Sequence, residues 1–166
     1  MALSLRYPQL SDEAEALRLH EIAAAEDFPF LLADGTFADR LAVIEREARG
    51  NVPTGRVPAD FYFAIVGDSI IGRLSVRHAL TDYLLEVGGH IGYWVAPDQR
   101  RKGYATQMLR LGLERLHALG VKRALVTCDD SNEASAATIE RNGGILEDIR
   151  QSDPDSTPTR RYWIEI

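Results

Sequence analysis

Ile91-Gly-Tyr-Trp-Val-Ala-Pro97-Asp-Gln-Arg-Arg-Lys-Gly103-Tyr-Ala105-Thr106 runs from an apolar segment through a basic turn into a long helical pattern. His90 to Val95 has the β-branched and aromatic content of a strand and stops at Pro97. Beyond Thr106, Met108, Leu109, Leu113, Leu116 and Leu119 cover one helix face, while Gln107, Arg110, Glu114 and His117 repeat along the other up to Gly120. The first turn of a helix has N–H groups without intrahelical partners and a partial positive charge, so a pyrophosphate can accept bonds from the backbone there. Gly103 removes a Cβ that would block close approach, and Arg100, Arg101 and Lys102 concentrate positive charge. A basic cluster ahead of a helix is also an ordinary solvated turn, and the context must separate the two readings.

Working outward, Leu3 to Tyr7 alternates as a short strand, and Ser11 reads as the N-cap of a first helix with Ala14, Leu17, Leu19, Ile22 and Ala23 on its apolar face. Thr36 and Asp39 form a capping-box pattern ahead of a second helix that Gly50 stops. Phe61–Val66 and Ile70–Val76 flank Gly67 and Asp68 as a hairpin. Downstream, residues 123–128 read as a strand, 132–142 as a helix, and 145–149 and 160–166 as strands. The order is that of a mixed α/β sheet with hairpins at both ends, not a βαβ repeat.

The length of 166 residues supports one domain with a hydrophobic core, and a net charge of -6 argues against a whole-surface attraction to nucleic acid or anionic lipid. Any anion site is therefore local. Cys128 is the only cysteine, so an intrachain disulfide and cysteine-based metal fingers are excluded. No segment approaches the ~20 apolar residues of a membrane span, and the chain reads as soluble and cytoplasmic. Gly-x-x-x-x-Gly-Lys-Ser/Thr and Gly-x-Gly-x-x-Gly are both absent, which points away from ordinary mononucleotide and dinucleotide sites and towards another phosphate-bearing cofactor.

Arg100-Arg-Lys-Gly103-Tyr-Ala105 fits an Arg/Gln-x-x-Gly-x-Gly/Ala signature. With Val95-Ala-Pro97 before it and the amphipathic helix after it, the chain resembles the GNAT superfamily of acyl-CoA-dependent N-acyltransferases. Asn132-Glu-Ala-Ser135 through Gly143 is similar to the family's second cofactor segment. The resemblance implies one domain over residues 1–166, an α/β (α+β) fold whose mixed, mostly antiparallel central sheet has about seven strands and about four flanking helices. It implies acetyl-CoA as co-substrate without a metal, and direct acetyl transfer to a primary amine of a small molecule or protein, by a monomer or homodimer that binds neither nucleic acid nor membrane. Backbone N–H groups of Arg100, Arg101, Lys102, Gly103, Tyr104, Ala105 and Thr106 would hold the pyrophosphate. Trp94 and Val95 would pair with the pantetheine arm, with the Val95 N–H as oxyanion donor. Asn132 would contact the arm from the other side, or serve simply as a helix N-cap.

Acyl transfer needs a neutral amine, and an alkylammonium with a pKa of about 10.4 must first lose a proton. His90 and Glu86 are the candidate bases beside the strand, with a water chain or a structural histidine as alternatives. Many relatives place a tyrosine seven residues after the helix-starting asparagine to protonate the thiolate, and this chain has Ile139 there. Ser135, Tyr93 or water would substitute, and the departure also motivates an acyl-CoA-binding module without turnover. Cys128 reads as a buried small hydrophobe, His20 and His117 as solvent-facing. For the acceptor, Glu26, Asp27 and Phe28 offer carboxylates beside an aromatic ring that suit a cationic amine, or a solvated loop over a core phenylalanine.

Overall fold

The computed structural model describes residues 2–166. Strands β1 (Leu3–Arg6), β2 (Ala59–Val66), β3 (Ser69–Arg77) and β4 (Ile91–Val95) form one antiparallel ladder in that order. A second ladder runs β5 (Arg123–Asp129), β7 (Thr159–Glu165), β6 (Ile145–Arg150). The helices are α1 (Glu13–Ala24), α2 (Phe37–Ala48), α3 (Asp82–Glu86), α4 (Tyr104–Ala118) and α5 (Glu133–Arg141). The strands of the sequence reading are present, divided between two hydrogen-bonded sheets, and α3 joins the expected helices within the stretch between β3 and β4. Thr81 caps α3 by accepting from the Leu84 N–H at 3.1 Å.

The period-two alternation sorts each strand of the first sheet onto two faces. Leu74 and Val76 of β3, with Ile91 and Val95 of β4, pack against Met108, Leu109 and Leu116 of α4. Gly112 lets that helix settle closely, because a Cβ there would lie 3.1 Å from both Ile91 Cδ1 and Leu74 Cδ2. The opposite face carries a second core, in which Phe61, Phe63 and Trp94 meet Phe30 and Phe37 from the α1–α2 region. Each fully buried Leu or Phe contributes roughly 1.5–3 kcal/mol to the assembly of these layers.

The Thr36–Asp39 capping box is present, with Thr36 Oγ1 accepting from the Asp39 N–H and Asp39 Oδ2 from the Thr36 N–H. At α1 the structure differs from the sequence reading: Asp12, not Ser11, is the N-cap, after a turn of 3-10 helix over Leu10–Asp12. Its carboxylate accepts from the Gln9 N–H and binds Arg6 at 2.8 Å, a two-partner role that serine cannot fill.

The two sheets meet at one seam. The His90 N–H donates to the Leu125 carbonyl at 2.7 Å, and the Leu125 N–H donates to His90 Nδ1 at 2.9 Å. Gly89 has φ +59 there, and a Cβ on it would sit 2.4 Å from the Leu125 oxygen, so only glycine allows the approach. Beyond this seam β4 and β5 belong to separate ladders, leaving a gap between their facing edges.

Candidate active site

Backbone parity determines what faces the gap. The His90 carbonyl accepts from the Arg77 N–H, and the Ala96 N–H donates to the Ile71 carbonyl, so the even-numbered residues of β4 bond to β3. Tyr93 and Val95 therefore turn their N–H and C=O groups to the gap, whereas Trp94, expected to pair with the arm, gives its backbone groups to β3. The Val95 carbonyl is taken by Arg100 Nε at 2.9 Å, whereas its N–H makes no hydrogen bond among the described residues. An extended ligand can pair with this edge as an added strand.

At the open end of β4 the chain makes a 3-10 turn over Pro97–Gln99 and enters α4. Arg101 (φ 63) and Gly103 (φ 83) are both left-handed, which curls the backbone into a concavity. The first intrahelical bond runs from the Gln107 N–H to the Gly103 carbonyl. The N–H groups of residues 101–106 have no partner among the described residues, and they form the cradle expected of an anion site. One expectation is corrected here. The Arg100 N–H is committed to the Pro97 carbonyl at 3.4 Å, so the cradle begins at Arg101. Gly103 meets its left-handed φ without strain, and no neighbour among the described residues lies within 4 Å of where its Cβ would be, which leaves the approach to the cradle open.

The Arg100 side chain turns away from the cradle. Its guanidinium holds Glu26 through two bonds of 2.9 and 2.6 Å, and Trp94 Nε1 donates to the same carboxylate at 2.8 Å. Arg100, with help from Trp94, keeps Glu26 below the usual carboxylate range against the effect of its partial burial. Glu26 is thus a neutralised anchor joining the end of α1 to the cradle, and it is not free to receive a cationic amine. Asp27 is exposed in the left-handed turn beside it (φ 57), with no side-chain hydrogen bond among the described residues. Phe28 stacks on Trp94 and covers the Arg73 guanidinium, 4.5 Å from its ring centre. The three residues lie together, but they do not make an amine-binding anionic pocket.

His90 is not positioned as a base. Its Nδ1 accepts a backbone N–H, which places the ring proton on Nε2 and leaves no free lone pair for an amine proton. Burial, reinforced by Arg77, pulls its pKa down to about 4. Glu86 is exposed at the end of α3 and bound to Arg150 at 2.5 Å, without the burial a carboxylate base requires. Asn132 caps α5, accepting from the Ser135 N–H at 3.1 Å. The Ser135 hydroxyl meets the Tyr93 hydroxyl at 2.7 Å, so these side chains link β4 to α5 on the side of the gap nearer that helix. Burial pushes the Tyr93 phenol up to about 12, so it remains a proton-bearing hydroxyl. Ile139 is fully buried in the core, and burial pushes the half-exposed Cys128 thiol up.

Sequence reading missed three polar groups. Asp60, fully buried, accepts from Tyr7, His78 and Arg115 at 2.8–2.9 Å, locking β2 to α4. His20 is not simply solvent-facing, since its Nδ1 accepts from the Leu31 N–H at 3.1 Å. Arg73 and Arg77 alternate with Leu74 and Val76, a pattern that sequence alone assigns to a solvated strand face, yet Arg73 is buried. His117 is exposed, as its place on the polar face of α4 implies. Among the described residues no group of three or more His, Cys, Asp or Glu side chains is placed to hold a metal ion, and no helix is long and apolar enough to cross a membrane.

The sheet is thus split at β4, with a run of unpartnered N–H groups at the strand's open end. A family model described as an acetyltransferase (GNAT) domain matches residues 3–145, and the chain belongs to that family. RimJ of Mycobacterium smegmatis, solved in complex with CoA-disulfide, is 20% identical with a TM-score of 0.76, covering 98% of this chain and 81% of its own. A Salmonella typhimurium acetyltransferase that modifies the N-terminal serine of a 50S ribosomal subunit protein is 20% identical, with a TM-score of 0.71 over 99% of this chain and 95% of its own. The microcin C7 self-immunity acetyltransferase MccE, solved with acetyl-CoA and AMP, is 25% identical, with a TM-score of 0.68 over 99% and 92%. No curated protein matches the chain. The chain is accordingly an enzyme of the acetyltransferase class.

Proposed function

We propose that this chain binds acetyl-CoA at the cradle and gap and transfers its acetyl group to a primary amine by direct attack. The carrying observation is the run of unpartnered N–H groups from 101 to 106, continuous with the unpaired edge of β4. Six donors at a helix N-terminus match a pyrophosphate, and the Tyr93 and Val95 edge matches the amides of an extended arm. Acetyl-CoA supplies a thioester whose acyl carbon bonds to the amine nitrogen as the C–S bond breaks. The Val95 N–H is the donor for the carbonyl oxygen, and the bonded pair of Tyr93 and Ser135 hydroxyls, one donating to the other, keeps one O–H free to donate to the departing sulfur. With His90 and Glu86 otherwise engaged, water in the open gap carries off the ammonium proton. The domain takes in residues 1–166, and we place it in the cytoplasm, where its lone cysteine stays a thiol.

Calorimetric titration with acetyl-CoA and free CoA, followed by thiol release over an amine panel at about pH 7 to 9, tests this reading. Binding with amine-dependent release is the expected outcome. Binding without release over the whole panel would favour a binding module, and the absence of binding would overturn the site.

A further inference from the structure

Of the buried charged groups, most are matched by opposite charge: Asp12 has Arg6, Asp60 has Arg115, and Arg161 has Glu147 and Asp148. Arg73 is the exception. It is 4% exposed, its Nη1 donates to Ser75 Oγ at 3.1 Å and its Nη2 to the Pro29 carbonyl at 2.6 Å, and its Nε has no partner among the described residues. Arg77, on the same face of β3, gives its Nη1 to the Gly88 and Gly89 carbonyls at 2.9 and 3.0 Å. Neither guanidinium has a carboxylate partner among the described residues. Burial and the neighbouring Arg77 pull Arg73 down to about 9, which still leaves it charged at neutral pH. The Phe28 and Phe61 rings, with centres 4.5 and 5.4 Å from the Arg73 guanidinium carbon, offset part of the cost of burial, but no carboxylate neutralises the charge, and an anion would complete it.

Gly92 marks where that anion sits. It lies on the β4 face that looks towards Arg73 and Arg77, and a Cβ there would be 3.8 Å from Arg77 Nη2 and 4.0 Å from Arg73 Nη1. Those are ordinary contacts and its φ is not left-handed, so neither backbone nor packing demands a glycine. The missing side chain leaves room at both guanidiniums, on the strand whose outer edge lines the gap. Gly92 itself is partly exposed, so this point of β4 is reached from outside; the cleft that Ser75 lines with Arg56 also carries the Glu47 and Asp60 carboxylates and is not the way in for an anion.

We propose that the acceptor is a small primary amine carrying an acidic group, a carboxylate or a phosphonate, which seats over Gly92 between Arg73 and Arg77. This rests on the acetyl-transfer reading and names its substrate class. The acid group takes no part in bond making: the amine nitrogen gains the acyl carbon, the sulfur leaves, and the ammonium proton passes to water. Two converging guanidiniums orient the amine through charge-assisted hydrogen bonds and discriminate against neutral analogues.

The test is thiol release from acetyl-CoA with matched pairs, amino acids and aminoalkylphosphonates against their carboxamides or esters, together with a peptide amine. At least a ~100-fold advantage of acids in kcat/KM is expected, since a site built for a polar group rejects the analogue lacking it. Gly92→Val, which suits a strand, and Arg77→Met should each erase that advantage while leaving acetyl-CoA affinity unchanged. Carboxamides or peptide amines turning over as well as the acids would overturn the proposal. If no amine is turned over, melting curves with acetate and methylphosphonate decide: stabilisation lost in Gly92→Val supports the anion site, and none in the wild type overturns it. Failure to bind acetyl-CoA in the calorimeter is a separate result that removes the transfer reading itself.

Discussion

The cradle at the head of α4 and the arginine-bearing face of β3 are both cationic, yet they are made from different material. The cradle is main chain: six N–H groups freed by a helix start and two left-handed residues, with the Arg100 side chain turned elsewhere. The β3 face is side chain, two guanidiniums converging over a glycine of the neighbouring strand. A main-chain site is contiguous in sequence and leaves a spaced signature of glycine and helix start. A side-chain site assembled across strands leaves only residues that look like any polar alternation.

Gly103→Glu should break the first half of that contrast most severely. It sets a carboxylate where the proposed pyrophosphate site lies, and acetyl-CoA affinity by calorimetry should fall ~1000-fold, as for lost charge-assisted contacts. The fold should tolerate it at roughly 1–2 kcal/mol, the cost of a left-handed non-glycine residue, because no neighbour crowds that Cβ.

The seam supplies the next largest effect. His90 titrates near 4 in the folded chain against an ordinary value of 6.5, so the unfolded chain takes the proton first on acidification. Its contribution is complete above about pH 6.5 and is lost as pH falls towards 4, by roughly 3 kcal/mol. Denaturant melts across that range should show the loss in the wild type and its absence in His90→Asn. The pH profile of kcat/KM should have the same shape in both proteins, and a displaced acidic limb in the variant would restore His90 as a base.

Tyr93→Phe should lower kcat about tenfold, the worth of one modest hydrogen bond in the transition state. Little change in KM for either substrate is expected, and an unaltered kcat would remove Tyr93 from the departure of the thiolate. The smallest effect sharpens the contrast from the other side. Arg73→Met removes a buried, uncompensated charge while keeping apolar bulk, and should raise unfolding stability by about 1 kcal/mol in denaturant melts. A clear loss of stability would show that the guanidinium serves the fold.

Most of the architecture was legible in the sequence because its elements announce themselves locally. The Thr36–Asp39 box, the Gly67–Asp68 turn and the two faces of α4 each decide their own structure. The parting of β4 from β5 was not legible from the residues, since it depends on His90 offering ring and backbone to one distant residue, Leu125. The same long-range fact turned a candidate base into a clasp. Glu26 changed role for a similar reason, because its partner Arg100 lies seventy-four positions away. At Ile139, where the resemblance implies a tyrosine, the side chain is sealed into the core, so a phenol there would first have to be packed.

The seam at His90 and Leu125 fastens the sheets at one end of β4, and the Gly88 N–H, donating to Thr127 Oγ1, holds the same end. From there to Val95, next to the turn that leads into the cradle, the outer edge of β4 pairs with no strand. A carrier laid from the cradle along that edge would meet the fastening at its far end, so the seam would act as a length gauge for the tail on the carrier's sulfur.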